Sequence, residues 1–367
     1  MGQKRTSGLI KRGGCWHIDK KIFGQRIRGT TGTKSFEEAQ ALLARRIEEL
    51  RQAVIFGVRP ERVFAEAAIK YLRDNQDKGS IDSDASHLRM IMPYIKDIAL
   101  HRMHMGTLQS FIEARKKEGR KTRTINHGLK IVRHILNLAA SEWIDENGLT
   151  WILTAPKIKL LPEYDTRAPQ PLSWEQEDRL VAALPEHLRN MALFSMYTGS
   201  RDREVCRLRW EWEVRIPQLN ASAFIIPAFA MLNGERVRLI KNGQERLIIL
   251  NKTAQKVIET VRGQDSEFVF TYRGKPIDRM LNSGWKAARQ CSNLPTLRVH
   301  DLKHTYGRRL RAAGVSYEDR QDLLGHKSGR ITTHYSAAEM SKLLEAANKA
   351  CDKQASTPTL MLLKKVV

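Results

Sequence analysis

Residues 299–335 read VHDLKHTYGRRLRAAGVSYEDRQDLLGHKSGRITTHY, and the rest of the chain is organised around them. His300 and Lys303 come first, separated by two residues in the pattern H-x-x-K. Gly325-His326 follows, and Tyr335 stands nine residues beyond His326. Far upstream, Thr198-Gly199-Ser200-Arg201 precedes Glu204. Between the two stretches Lys241 lies in LIKNGQERLIIL (239–250). Taken singly, each residue has an ordinary reading. His300 suits a structural role, Tyr335 an amphipathic helix, and Arg201 an ion pair with Glu204. Their joint order and spacing carry the argument.

Composition bounds what such a chain can do. Its 367 residues suffice for two or three domains with real cores. Lys and Arg number 63 against 40 Asp and Glu, a net charge of +23, which points to a polyanion. Nucleic acid is the first candidate and a membrane surface the second. No uncharged apolar run reaches the ~18 residues of a span. The longest apolar run, AFIIPAFAML (223–232), is short and broken by Pro227. The start, MGQKRTSGLI, lacks the apolar core of a signal peptide. Cys15, Cys206, Cys291 and Cys351 are far apart, with no CxxC pair. They read as reduced intracellular thiols.

Residues 1–34 are dense in positive charge, with Lys11, Arg12, Lys20, Lys21, Arg26 and Arg28 set against Asp19 alone. Residues 15–18 and 22–27 have the character of short strands, and Ser35 with Glu38 opens a helix in a capping-box pattern. Ala39, Leu42, Leu43, Ile47 and Leu50 form an apolar stripe at helical spacing. A small sheet on one helix with basic side chains outward suits a DNA groove. A solvated tail would not need Trp16 and Phe23. Residues 62–155 read as helical, with helices near 64–72, 84–99, 107–118 and 122–143. Arg120, Lys121 and Arg123 cluster at the last helix start, where free backbone N–H groups favour phosphate. Taken alone, that segment reads first as a generic bundle with a charged face.

The stretch PKIKLLPEYDTRAPQPL (156–172) carries four prolines, which prevent regular structure, and it marks the main domain boundary. Ser173 then caps a new helix through Gln176. Residues 191–197 form a buried helix ending at Thr198-Gly199. Residues 223–250 alternate, with a strong hairpin signal at Asn242-Gly243 and a second possible turn at Asn233-Gly234. The remainder is helical to about residue 348. The end, TPTLMLLKKVV (357–367), holds a strand-like apolar run that must dock somewhere.

A phenol, two imidazoles and the cations Arg201, Lys241 and Lys303 make an inventory for attack on a phosphodiester. Tyr335 is suited to transient covalent attack on phosphorus once its proton is removed, for which His300 or Lys241 is available. Arg201 can grip two non-bridging oxygens in a fork, and His326 can donate a further hydrogen bond. Lys241, at a hairpin turn, can protonate the departing sugar oxygen. Loss of such a donor typically costs ~10²–10³ in rate. No acidic cluster suited to two Mg²⁺ ions stands out, and no metal or other cofactor is expected.

The pattern resembles the tyrosine recombinases of the phage integrase family. TGSRDREVCRLRW (198–210) is similar to the family's first box, which makes Arg201 the catalytic arginine and Glu204 its acidic support. KNGQERLIIL (241–250) resembles the β-hairpin box, with Lys241 as the catalytic lysine. HDLKHT (300–305) resembles the second box, and LGHKSGRITTHY (324–335) the last, with His326 and the nucleophile Tyr335. The likeness is highly specific over 198–335 and looser before 172.

The resemblance implies a mainly α fold with small β elements. A small sheet plus helix (1–55) would form an arm-type DNA-binding domain, followed by a helical core-binding domain (62–155) and a linker (156–172). A mixed α+β catalytic domain (173–350) and a tail (351–367) docking in trans complete the expectation. It further implies cleavage of double-stranded DNA through a 3′-phosphotyrosyl link and rejoining by the partner strand's 5′-hydroxyl. No ATP is needed, because bond energy is kept in the link. A homotetramer would exchange strands at core and arm attachment sites, assisted by an excisionase and a DNA-bending host protein. Integration or excision of a phage or mobile element in the cytoplasm of a bacterial or archaeal host is the implied role, with no membrane involvement.

One position departs from the family. Lys303 stands where the second box has arginine, keeping the charge and losing the planar fork. Three readings stay open: a variant that supports catalysis, a weakened centre, or a shifted alignment in which His304 or Arg308 takes part. A weakened centre would leave a DNA-binding relative, and a similar tyrosine centre also occurs in relaxing enzymes of the type IB topoisomerase kind. The N-terminal module favours the recombinase, since relaxation needs no second recognition module.

Overall fold

Gly13 and Gly14, at φ 55° and 82°, turn the chain between β1 (Leu9–Arg12) and β2 (Cys15–Ile22). Two successive positive φ values match the twist of an antiparallel hairpin, and glycine supplies them without steric cost. Phe23 and Gly24 make a second such turn into β3 (Gln25–Thr30), giving an antiparallel sheet in the order β1-β2-β3. The sequence suggests two short strands broken at 19–21. Instead β2 runs through, because Asp19, Lys20 and Lys21 pair with Arg28, Ile27 and Arg26. The computed structural model describes residues 8–232, 234–240, 242–326 and 337–353. Lys241, Tyr335 and the expected apolar tail at 357–367 lie outside the described residues.

The chain divides between Thr166 and Arg167 into two compact units. In the first, Ser35 caps α1 (Phe36–Phe56) by accepting the Glu38 N–H. The Glu38 carboxylate does not return to Ser35; it accepts instead from the Thr33 hydroxyl. Trp16 packs edge-on to Phe36, with ring centroids 5.0 Å apart, and Ile18, Ala39, Leu43 and Leu50 are buried. Four helices follow: α2 (Phe64–Asp74), α3 (Ile81–Ile95), α4 (Gln109–Lys117) and α5 (Thr122–Ser141). On α5 the buried residues Ile125, Leu129, Val132, Ile135, Leu136 and Ala139 recur every three or four positions and face a single apolar core. Residues 156–166 are neither helix nor strand, yet Ile158 is buried on the bundle and Asn126 brackets Leu161 through both its backbone groups.

The second unit begins with α6 (Trp174–Ala183), whose capping box joins Ser173 and Gln176 reciprocally. Next come α7 (Glu186–Thr198) and the short α8 (Asp202–Cys206). Strands β4 (Glu213–Ile216), β5 (Ala221–Ile226), β6 (Phe229–Leu232), β7 (Glu235–Arg238) and β8 (Arg246–Ile249) follow. Here the structure corrects the turn reading. The hairpin pairs β6 with β7, around Gly234, whereas β8 pairs with β5 and not with β7. Asn242-Gly243 therefore lies in a connection, not in a two-residue hairpin loop. Gly243 has φ 72° and its N–H reaches the Ile240 carbonyl, so the local turn is real and only the pairing differs. The order in the larger sheet is β4-β5-β8.

The remaining elements are α9 (Lys252–Val261), a small hairpin of β9 (Thr271–Tyr272) and β10 (Lys275–Pro276), α10 (Ser283–Cys291), α11 (Val299–Ala312), α12 (Tyr317–Leu324) and α13 (Ala337–Lys349). The core gathers Phe194 and Met196 of α7, Phe224 of β5, Ile258 of α9, Trp285 of α10 and Leu302 of α11, each at most 1% exposed. No helix among the described residues is long and apolar enough to cross a membrane.

Asn251 locks this unit. It is fully buried, its side chain accepts the Ala254 N–H to cap α9, and its amide donates to the carbonyls of Tyr197 (2.7 Å) and Ala347 (3.2 Å). One side chain thus joins α7, α9 and α13. Asn251→Ala should lower the unfolding free energy of the intact protein by about 2–3 kcal/mol, because buried backbone carbonyls lose their donor. Urea titration followed by tryptophan fluorescence measures it, and a change within error of zero would remove this role.

Candidate active site

The site is built where helices end. Helix α7 stops at Gly199, whose φ of 65° closes the helix in the left-handed region. A side chain there would also strike Tyr306 and Leu324, with a Cβ 2.8 and 2.9 Å from their carbons. The chain then turns through Ser200, which is buried and bonded to Thr198, and presents Arg201 at the start of α8. Helix α12 ends the same way, at Gly325 with φ 59°, and presents His326. Helix α11 begins at Val299, so His300 and Lys303 lie in its first two turns.

Glu204 is the centre of the charge arrangement. It is 3% exposed and accepts from both the Arg201 amide (2.9 Å) and the Arg201 guanidinium (2.7 Å). The oxygen that accepts the Arg201 amide, Oε2, also faces Arg246 Nε at 3.1 Å. Burial pushes the carboxyl up, but Arg246, the Arg201 amide, Lys303 and the Arg201 guanidinium outweigh it, so Glu204 titrates below the ordinary range and stays charged. Arg201 keeps its side chain about a quarter exposed, at 27%, and can meet a ligand.

Lys303 is 5% exposed. Its ammonium donates to the carbonyl of Gly199 at 2.7 Å and to that of Leu324, which end α7 and α12. Carbonyls at helix C-termini carry partial negative charge, so the site suits a cation. Burial, then Arg246 and Arg201, nevertheless hold its pKa well below the usual lysine range, with only Glu204 opposing. Lys303 is thus a tie between two segments in this state, not an outward-facing cation.

The imidazoles come together at the rim. His300 and His304 meet edge to face at 4.8 Å between ring centres. Burial, followed by His304, Lys303 and Arg201, lowers the pKa of His300; burial, followed by Lys303, Arg201, Arg246 and His304, lowers that of His326. Both rings are therefore neutral at pH 7 and can accept a proton. Asp301 anchors this helix end. It is fully buried, accepts the Arg298 and Gln170 amides, and pairs with the guanidinium groups of Arg298 (3.1 Å) and Arg167 (3.3 Å).

The structure therefore brings together Arg201, Glu204, His300, Lys303 and His326 from the sequence-derived set. Lys241 and Tyr335 fall outside the described residues. Two neighbours escaped the sequence reading. Arg246 carries no motif role, although an arginine opening the apolar run RLIIL (246–250) is a signal of a buried charge partner. His304 was weighed only as a register alternative and stands beside His300. Among the described residues no group of His, Cys, Asp and Glu side chains could hold a metal ion.

The basic candidates of the first unit separate into groups. Strand register places Arg12, Lys21, Arg26 and Arg28 on one sheet face with Asp19, while Lys11 and Lys20 belong to the face toward α1. Arg26 grips Asp19 through two bonds of 2.7 and 2.8 Å, and Arg28 stands 4.0 Å from it. Arg120, Lys121 and Arg123 are exposed around the start of α5. The Thr122 N–H there is already taken by the Asp165 carboxylate at 2.8 Å.

Known proteins resemble this chain in sequence and in fold. Residues 171–342 match the model of the phage integrase family. The chain is 24% identical to the integrase of Salmonella phage P22, with 93% of each chain covered. It is 25% identical to tyrosine recombinase XerC of Mesorhizobium japonicum, covering 70% of this chain and 81% of that one. In fold it is similar to a lambda integrase dimer bound to a COC′ core site (TM-score 0.55, 14% identity, 94% and 96% covered). It is also similar to the Tn1549 transposon integrase in complex with transposon right-end DNA (TM-score 0.57, 16% identity, 77% and 99% covered). Residues 171–342 thus carry a domain of the phage integrase family, and the chain as a whole is similar to tyrosine recombinases.

Glu204 is the test of the charge arrangement. Glu204→Gln leaves Arg201, Arg246 and Lys303 without a counter-ion, which should cost about 3–5 kcal/mol of stability. Because the folded-state pKa of Glu204 is depressed, its contribution is present above the ordinary glutamate range and is lost as pH falls through the folded value. The variant should accordingly lose part of the wild type's acid dependence below that range. Thermal unfolding from pH 3 to 7 reads both, and identical curves for the two proteins would rule the arrangement out as a stabilising one.

Proposed function

We infer that this chain recombines DNA at specific sites, breaking and rejoining strands as a tyrosine recombinase, and that the cluster around Glu204 is its phosphate-handling centre. The observation that carries the assignment is the convergence of Arg201, His300 and His326 from α8, α11 and the end of α12, with Arg201 braced by a buried carboxylate and Lys303 tying the helix ends beneath them. Three cations near one carboxylate leave the centre short of negative charge, and a phosphodiester supplies it.

In this reading Tyr335 attacks the scissile phosphorus, forming an O–P bond to the phenolic oxygen and expelling the sugar 5′-oxygen. The phenolic proton passes to a neutral imidazole, His300 being the acceptor, and Lys241 supplies a proton to the departing oxygen. Arg201 meets the non-bridging oxygens, and His326 donates to one of them. The reverse attack by a 5′-hydroxyl restores the strand, so no nucleotide cofactor enters the balance. Double-stranded DNA is the substrate, bound by a homotetramer. Residues 62–155 with Arg120, Lys121 and Arg123 serve the core site. The basic sheet of residues 1–55 serves arm sites, with Lys11, Arg12, Lys20, Lys21, Arg26 and Arg28 as its contacts. The P22 and lambda likenesses support an integrating element, with an excisionase and a DNA-bending host protein as assistants.

Covalent trapping tests the reading. On a nicked duplex carrying the attachment site, the wild type should give a denaturation-resistant protein–DNA adduct, and Tyr335→Phe should give none while still binding the duplex. An adduct that survives Tyr335→Phe would exclude Tyr335 as the nucleophile.

Lys303 supplies a second test. Arginine at this position can satisfy the Gly199 and Leu324 carbonyls and still present further N–H groups, so Lys303→Arg should keep or raise the cleavage rate. A loss of about 10²-fold in single-turnover cleavage would show that the pocket is shaped for an ammonium.

A further inference from the structure

Arg246 is a charged residue in a place that stability alone does not favour. It opens β8, five positions beyond Lys241, and is 3% exposed. Its Nε faces Glu204 at 3.1 Å. Its Nη2 lies 3.2 Å from the Gly199 carbonyl, 3.4 Å from that of Leu323 and 3.5 Å from that of Thr198. Its Nη1 is buried without a hydrogen-bond partner among the described residues. Lys303 donates to the same Gly199 carbonyl, so two cationic heads share one acceptor. Burying a guanidinium with an unpaired N–H beside two other cations costs free energy, and apolar replacements of buried ion pairs are often neutral or stabilising. A site designed for packing alone would hold a leucine or methionine.

What the guanidinium touches points to its use. The Thr198 and Gly199 carbonyls belong to the segment that leads into Arg201. The Leu323 carbonyl belongs to the helix that leads into His326. Glu204 is the residue that orients Arg201. Gly325 leaves the room: a Cβ there would sit 1.5 Å from Arg246 Nη1. The glycine between Leu324 and His326 thus has two independent causes, its φ of 59° and the arginine beneath it.

We propose that Arg246 is a positioning residue for strand cleavage, holding Glu204, and through it Arg201, while fixing the two helix ends that present Arg201 and His326. The proposal rests on the reading of Arg201 as the phosphate-binding arginine and deepens it. Arg246 itself touches no phosphate; it acts through residues that do.

The test uses the full-length protein on a nicked duplex carrying the attachment site, with single-turnover cleavage and duplex affinity measured side by side. Arg246→Met should slow cleavage about 10²-fold, the scale of a misplaced catalytic group, with affinity changed by no more than about 3-fold. Arg246→Lys keeps one charge-assisted contact and should recover about 10-fold of that loss. Residues acting as a unit are non-additive, so Arg201→Ala with Arg246→Met should be no slower than Arg201→Ala alone. Cleavage by Arg246→Met within about 3-fold of wild type, or penalties that multiply in the double variant, would overturn the proposal. If thermal unfolding shows Arg246→Met to be unfolded, Gly325→Ala takes its place, since it crowds the guanidinium and leaves its charge. It should slow cleavage without loss of affinity, and a wild-type rate would overturn the proposal. The wild type's own Tyr335-dependent adduct reports separately on the recombinase reading, so the two can fail independently.

Discussion

The buried carboxylate of Glu204 is the interaction on which the site depends. Alone, a carboxylate in that position would take up a proton; alone, the guanidinium groups beside it would repel one another. Together they make a compact charge lattice whose outer member, Arg201, is held in direction but left partly open to solvent. Preorganisation of this kind is what electrostatic catalysis needs, because nothing has to be rearranged when a doubly charged transition state forms. The lattice cannot exist without the fold, since its members come from α8, β8 and the two helix ends at Gly199 and Leu324. Fold and chemistry are here the same set of contacts.

Much of this was legible in the sequence, and the reasons are physical. A helix end with glycine at positive φ leaves a mark, so Thr198-Gly199 was readable as a stop with Arg201 behind it, whereas the stop at Leu324-Gly325 falls inside a stretch read as helical throughout. The helix expected near 122–143 is α5, and the proline-rich 156–172 contains the Thr166–Arg167 division. Family boxes then gave Arg201, Glu204, His300, Lys303 and His326 a common destination, which their side chains reach.

What was not legible depends on long-range pairing. Asn242-Gly243 carries the local chemistry of a hairpin turn, yet β8 finds β5 as its neighbour because Phe224 and Ile248 complete the core across that pairing. Turn propensity is local and strand partnership is not, so the stronger turn signal belonged to the weaker topological claim. Arg246 was hidden for a similar reason. In one dimension it is an arginine at the edge of an apolar run, and its carboxylate partner lies forty-two positions upstream. The burial of Lys303 was equally invisible, since the motif shows which residue occupies the position and not whether its head faces a ligand or two carbonyls.

The Asp165 carboxylate at the first turn of α5 has a consequence for how polyanions approach the helical unit. It already occupies the Thr122 amide and sits among Arg120, Lys121 and Arg123, so the chain carries its own resident anion at that helix start. Any phosphate that took the Thr122 N–H would have to displace this carboxylate, exchanging one anion for another. A single weak phosphate cannot compete there with a carboxylate tethered at high effective concentration. A continuous groove-tracking strand can, because its neighbouring contacts hold it in place during the swap.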